Sequence, residues 1–350
     1  MRSRRPLIFV SIATLVAACG SRTGLLVPLP EEDAAPGKDA LAEDATRDAD
    51  AAPDSSRDVT VEDSPLDRFV EEDALPPLDV RPPPPDAFNA CPDAGSTFVY
   101  VITQTNNLYS FYPPTAAFTL IGTIACPTTI AGENPFSMGV DRKGIAYIVF
   151  SSSDATGNEI GGELFRVSTA TAACLPTGFT IGQQGFARTF GMGFSADESD
   201  AGESLYVASD DINTPQLGMI DVTNFALHVV GDFNPPITQS ELTGTGAGGL
   251  FGFWNPRDST GNPLANSAIV QIDKATAEVT NSSTLVGLQQ GNGWAFAFWG
   301  GAFYLFTGDL STGNTSVVTR YDPGPGTLTQ VGGLDDLIVG AGVSTCAPGQ

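Results

Sequence analysis

Histidine is nearly missing from this chain: there is one, His228, among 350 residues. Without a second, His-rich zinc sites and two-histidine, one-carboxylate iron sites are excluded. A Ser-His-Asp triad would need His228 in a cleft, and residues 227–231 read instead as an outer strand. Cations are scarce as well, with 16 Lys and Arg against 40 Asp and Glu and a net charge of −24. Only seven of the 16 lie in residues 94–350, and of those only Arg142 and Lys143 are adjacent. Nucleic-acid backbones are held by clustered Lys and Arg, so no nucleic-acid partner is expected. The cysteines lack CxxC spacing. The Gly-rich run at 244–249 lacks the Lys of a phosphate-binding loop and precedes a strand pattern, not a helix. The strands read as innermost carry Gly, Ala, Phe and Met, with only Asp141 and Asp197 near their ends. Paired carboxylates for glycoside hydrolysis are therefore not evident, and no catalytic residue is assigned.

What is present is a repeat. An aromatic residue in a short apolar run recurs at Tyr100, Tyr147, Tyr206, Phe251 and Tyr304. Each run is followed by a strand ending in a turn, as at Ile220-Asp221, Ile272-Asp273 and Tyr321-Asp322. The Asp carboxylate at such a place can accept from backbone amides two residues on and tighten a hairpin. Before the aromatic run comes a strand alternating large and small residues, such as Phe190-Gly191-Met192-Gly193-Phe194. Small residues let strands crowd around an axis. Four strands per unit of about 50 residues predict an all-β fold, a β-propeller. The run at Tyr100 has no small-residue strand before it, and residues 337–343 form one with no aromatic run after it. The two halves complete one blade, with Gly342 beside Tyr100, and close a ring of five. A six-bladed ring, if residues 150–190 hide a blade, and a β-sandwich are the alternatives.

The N-terminus reads as an address. Arg2, Arg4 and Arg5 precede an apolar run too short to span a bilayer comfortably, as in a secretory signal. It ends Leu15-Val16-Ala17-Ala18-Cys19-Gly20, which resembles the lipobox of bacterial lipoproteins. That resemblance implies that residues 1–19 are a lipoprotein signal with Cys19 as the acylated mature N-terminus. Acyl chains would then tether the protein to a membrane. Gly20, where Asp would imply retention at the inner membrane, leans the expectation towards an outer-membrane lipoprotein of the cell envelope. Residues 20–93 are rich in Asp, Glu, Ala and Pro, and residues 31–93 hold 19 of the 40 acidic residues. Such a stretch buries too little apolar surface to offset chain entropy and should be a disordered, acidic stalk. The propeller then occupies residues 94–350. Its sequence resembles predicted lipoproteins of predatory soil bacteria, in phrases such as Glu241-Leu242-Thr243-Gly244-Thr245-Gly246, and that likeness carries no known activity.

In an exported protein disulfides persist. With Cys19 acylated, Cys91, Cys126, Cys174 and Cys346 remain, which allow three pairings. Cys91 before the first strand and Cys346 after the last would lock the ring, leaving Cys126 with Cys174. Two patches are candidate binding sites. Asp197, Asp200, Asp210 and Asp211 offer oxygen ligands for Ca²⁺, or are solvated turns. Trp254, Trp294 and Trp299 offer a stacking platform for sugar or peptide, or pack between blades. Together these features predict a non-catalytic binding or scaffold module of the envelope, with a glycan or an envelope protein as partner. The alternative is an envelope enzyme, polysaccharide-acting or quinoprotein-like, working at the channel mouth. A cluster of carboxylates or a ligand-sized cavity there would distinguish it.

Overall fold

The computed structural model describes Leu78 and residues 97–349, apart from 154–158, 161, 198–201, 259 and 310–312. All belong to the unit Arg68–Gln350. The signal segment, Cys19, Cys91, Asp200 and the stalk other than Leu78 lie outside the described residues. The fold is a five-bladed β-propeller. The first blade holds β1 (Val99–Thr103), β2 (Asn107–Tyr112) and β3 (Ala117–Thr123). The second holds β4 (Asn134–Val140), β5 (Ile145–Ser153), β7 (Leu164–Ser168) and β8 (Cys174–Pro176), with the short β6 (Glu159–Ile160) paired to β5. The third is β9 (Phe190–Ala196), β10 (Glu203–Ser209), β11 (Gln216–Ile220) and β12 (Leu227–Asp232). The fourth is β13 (Glu241–Gly244), β14 (Leu250–Trp254), β15 (Ser267–Ile272) and β16 (Val279–Leu285). The fifth is β17 (Gly293–Trp299), β18 (Ala302–Asp309), β19 (Thr315–Asp322) and β20 (Thr327–Leu334). β21 (Ile338–Val343) returns to the first blade as its innermost strand, in the order β21-β1-β2-β3. Tyr100 pairs with Gly342, the register that closes the ring. The segment 150–190 adds β6 to the second blade and no sixth sheet among the described residues.

Burial follows strand position. Every residue of the innermost strand β9 is buried, whereas the outer strand β3 is mostly exposed. His228 lies on the outer strand β12 at an exposed position, away from any cleft. An innermost strand is covered on both faces by its neighbours, which explains its near-continuous apolar and small composition. The core divides into five clusters, one per junction between blades. The five repeated aromatics sit on the second strands β1, β5, β10, β14 and β18 and feed these junctions. Near the axis the backbones touch. A Cβ on Gly191 would stand 2.0 Å from the Ser240 carbonyl, and one on Gly342 would stand 2.8 Å from the Val140 amide. Glycine there is a requirement of close approach, not of turn geometry.

Hydroxyls tie inner strands of successive blades. The Met192 amide donates to Ser137 Oγ at 3.1 Å, and the Phe298 amide donates to Thr243 Oγ1 at 3.3 Å. The turn carboxylates behave as local chemistry predicts in two blades. Asp221 accepts from the Thr223 amide at 2.8 Å, and Asp273 accepts from the amides of Ala275 and Thr276. In the fifth blade Asp322 differs: it pairs with Arg320 across the end of β19. The disulfide Cys126–Cys174 joins the segment leaving the first blade to the outer strand of the second. Its sequence separation is 48 residues, which by loop entropy corresponds to about 4 kcal/mol. Cys346 is also disulfide-bonded; Cys91, its expected partner, lies outside the described residues. One residue of the stretch read as solvated is not solvated. Leu78 is buried in the junction between the fourth and fifth blades, beside a cluster that includes Phe251 and Phe303. An isolated leucine among acids and prolines carries no period, so the sequence gives no sign of it.

Candidate functional site

The innermost strands run in one direction, so their first residues gather at one mouth of the channel. Asn134, Glu241 and Gly293 begin β4, β13 and β17 there. These ends enclose a cavity of about 370 Å³. Its wall includes Gln104, Asn134, Phe136, Glu241, Asn292 and Trp294, drawn from four of the five blades. None of its described lining residues is Lys or Arg.

Glu241 is the charged-type residue on this wall, and it is 3% exposed. Its Oε2 accepts from Ser137 Oγ at 2.6 Å, across the channel from the fourth blade to the second. Burial pushes its carboxyl well above the usual carboxylate range. The Ser137 hydrogen bond opposes that shift, and the Asp210 charge adds to it. Burial thus favours the uncharged form of the Glu241 carboxyl. Asp210 follows β10 at the same mouth and is buried, with its amide donating to the Thr189 carbonyl at 3.2 Å.

A second carboxyl pair stands beside the cavity. Glu133, just before β4, is 8% exposed, and its carboxyl group lies against the Glu163 carboxyl and the Gly162 amide. Burial and the neighbouring Glu163 carboxylate push its pKa up to about 7, with the Gly162 amide acting weakly in the other direction. Burial works the same way on Glu163. The Thr129 amide at 2.7 Å, the Thr129 hydroxyl at 2.9 Å and the Ile130 amide outweigh it and hold Glu163 below its ordinary value.

The opposite mouth is latched. The Arg142 amide donates to Glu203 Oε1 at 2.6 Å, and Arg142 Nε donates to Thr345 Oγ1 at 2.6 Å. Thr345 Oγ1 donates to Glu203 Oε2 at 2.8 Å, which closes a triangle of the second blade, the third blade and the C-terminal segment. Burial raises the Glu203 carboxyl despite these bonds. Asp141, also at this mouth, accepts from the amides of Lys143 and Ile145 and so caps its own turn.

The acidic patch expected to hold Ca²⁺ is not brought together. Asp197 lies before β10 and accepts from Ser204 Oγ at 2.9 Å, while Asp210 and Asp211 lie after it. Seven strand residues separate them by roughly 20 Å. Asp211 is half-buried and accepts from the amides of Asn213 and Thr214, which lower its pKa. The tryptophans are not one platform either. Trp254, Trp294 and Trp299 belong to three different blade junctions. Trp299 sits at the latched end of β17, where Nε1 donates to the Thr97 carbonyl at 2.8 Å. Trp294 lines the cavity and Trp254 ends β14 at the same mouth of the channel, and their buried Nε1 atoms have no hydrogen-bond partner among the described residues. Sequence reasoning missed Glu241, Glu133 and Glu163. Glu241 opens an innermost strand before a Thr-Gly alternation, and that place in the repeat was the available signal. The two glutamates flank loops, where no periodicity marks them.

No family model and no curated protein matches this chain. Among solved structures, the nidogen/laminin complex aligns with 72% of this chain and all of that one, at 11% identity and a TM-score of 0.44. TolB from Acinetobacter baumannii aligns with 68% of this chain and 53% of its own, at 12% identity and a TM-score of 0.35. CoXyl43, a GH43 β-xylosidase/α-arabinofuranosidase from a compost microbial metagenome in complex with xylotriose, aligns with 60% and 80%, at 12% identity and a TM-score of 0.42.

Proposed function

We propose that the protein is a binding propeller of the bacterial cell envelope, tethered through acylated Cys19, that takes an uncharged, hydroxyl-rich ligand such as a glycan segment at the cavity mouth. The observation that carries the reading is the chemistry of the cavity wall. It combines the indole of Trp294 and the ring of Phe136 with the side-chain amides of Gln104, Asn134 and Asn292. Aromatic faces suit the apolar faces of sugar rings, and amides suit hydroxyls as donor and acceptor at once. A volume of about 370 Å³ is within the usual range for small-ligand sites. The test is a glycan and cell-wall array probed with the mature chain and with Trp294→Ala. Binding that the variant loses supports the reading. Binding that the variant retains, or none on any glycan, sinks it.

A second reading rests on Glu241 alone. A buried acid whose pKa is raised by burial and, in part, by a second carboxylate, Asp210, is the arrangement that supplies a proton in acid-assisted hydrolysis. Polysaccharide turnover abolished in Glu241→Gln would favour this enzyme over the binding module. The anchor is tested separately: mass spectrometry of the N-terminal peptide should find acyl chains on Cys19. An unmodified Cys19 would remove the tether from the proposal.

A further inference from the structure

We infer that the junction between the fourth and fifth blades is a docking surface for the protein's own acidic linker, which Leu78 fastens to the propeller. Leu78 is 7% exposed and joins a cluster that includes Phe253 and Leu285 of the fourth blade and Phe296 and Phe303 of the fifth. Those four side chains are themselves at most 1% exposed, so the leucine is part of an interior and not a residue resting on a surface. Burying it means ordering the chain around it, which costs conformational entropy. The sequence lowers that cost: Pro76 and Pro77 directly precede Leu78, and proline has little backbone freedom to lose. The compact unit accordingly begins at Arg68, well before the first strand at Val99.

The attraction is apolar. Asp79 follows Leu78, Glu71, Glu72 and Asp73 lie shortly before it, and residues 94–350 carry 21 acidic against seven basic residues. Like charges push such a linker and such a domain apart, so the leucine is what holds them together. An apolar anchor beside prolines in an aromatic-lined pocket is a recurring mode of peptide recognition. The occupant comes from the same chain. Nineteen residues lead from Leu78 to Thr97, a reach of up to roughly 65 Å. Thr97 already stands at the fifth blade, where Trp299 Nε1 donates to its carbonyl at 2.8 Å. Trp294 packs against the same cluster and lines the cavity, so the linker and the cavity wall share one support.

The test is made on the full chain with a photoreactive leucine analogue at position 78. Irradiation should give a cross-link within one chain, at monomer mass, to peptides that carry Phe253, Leu285 or Phe303. A cross-link between two chains would put a second copy in the junction, and a cross-link to other peptides, or none, would leave the junction without the linker; each of these overturns the inference. Leu78→Ser should lower Tm by roughly 4–10 °C. Leu78→Met should recover most of that loss, and Leu29→Ser, which lies before the compact unit, should leave Tm unchanged. The loss in Leu78→Ser should persist in about 0.5 M NaCl, where attraction between exposed charges is screened. An unchanged Tm in Leu78→Ser, or a loss that vanishes with salt, overturns the apolar docking of the linker.

Discussion

The two mouths of the channel are built from the same strands and are treated differently by the sequence. At one, Arg142, Glu203 and Thr345 satisfy each other across two blades and the C-terminal segment. At the other, the indole N–H groups of Trp254 and Trp294 are buried without hydrogen bonds among the described residues, and Trp294 lines a cavity. Folding alone would favour pairing at both ends, since an unmade buried hydrogen bond costs about 1–3 kcal/mol. The unpaired mouth is the one at which the proposed ligand would be held. The latched mouth is where it secures the ring.

The largest effect should come from the axis at the latched side. Gly342→Val would drive a side chain into the Val140 backbone, at a place where a Cβ alone already stands 2.8 Å from the amide. Overpacking of this kind costs about 1–3 kcal/mol or more, and here it also strains the pairing that closes the ring. Denaturant unfolding should show a loss of at least about 3 kcal/mol. A variant that is as stable as the parent would mean that the two blades can part without penalty. Glu203→Ala should come next. It leaves Arg142 and Thr345 without their shared acceptor in a nearly closed setting. A loss of about 2 kcal/mol is expected, with ligand binding at the other mouth unaffected.

How far this contrast could be read in advance follows from what makes each feature periodic. The blades were legible because Tyr100, Tyr147, Tyr206, Phe251 and Tyr304 repeat one role in one register. The closure was legible because Tyr100 lacked a partner that residues 337–343 could supply, and the observed pairing is with Gly342. The turn role of Asp221 and Asp273 was legible because it is local chemistry. The sites were not. Asp197 and Asp210 are near in sequence but stand at opposite ends of one strand. Glu241 and Ser137 are 104 positions apart and meet only because the ring brings the fourth blade across from the second. Site residues in a propeller come from several blades, and no single repeat contains their arrangement.

Glu241 offers a smaller effect that depends on pH. Its folded pKa is raised well above 4.5 by burial. The stability it contributes is fully present below the unfolded value, near pH 4.5, and is lost as pH rises through the folded value. In that window the unfolded chain gains by ionising while the folded chain does not, at about 1.4 kcal/mol per pH unit. Glu241→Gln keeps an acceptor for Ser137 and has no charge to gain, so its unfolding free energy should fall less steeply with pH above 4.5 than that of the parent. Parallel pH profiles for the two proteins would show that Glu241 ionises freely in the fold and that burial does not favour its acid form.

The smallest effect on stability, and the sharpest test of the comparison, is Trp294→Phe. At the latched mouth, removing Arg142, Glu203 or Thr345 leaves partners behind. At the open mouth the Trp294 indole N–H has no partner to leave. Phenylalanine keeps a ring against the junction of the fourth and fifth blades and removes the unsatisfied donor. The lost contact area and the relieved N–H oppose each other, so stability should change by less than about 1 kcal/mol in either direction. Binding at the cavity should fall about threefold to tenfold, because the smaller ring gives up part of the stacking face. A large loss of stability with unchanged binding would mean that Trp294 serves the fold, and that the two mouths differ in shape but not in purpose.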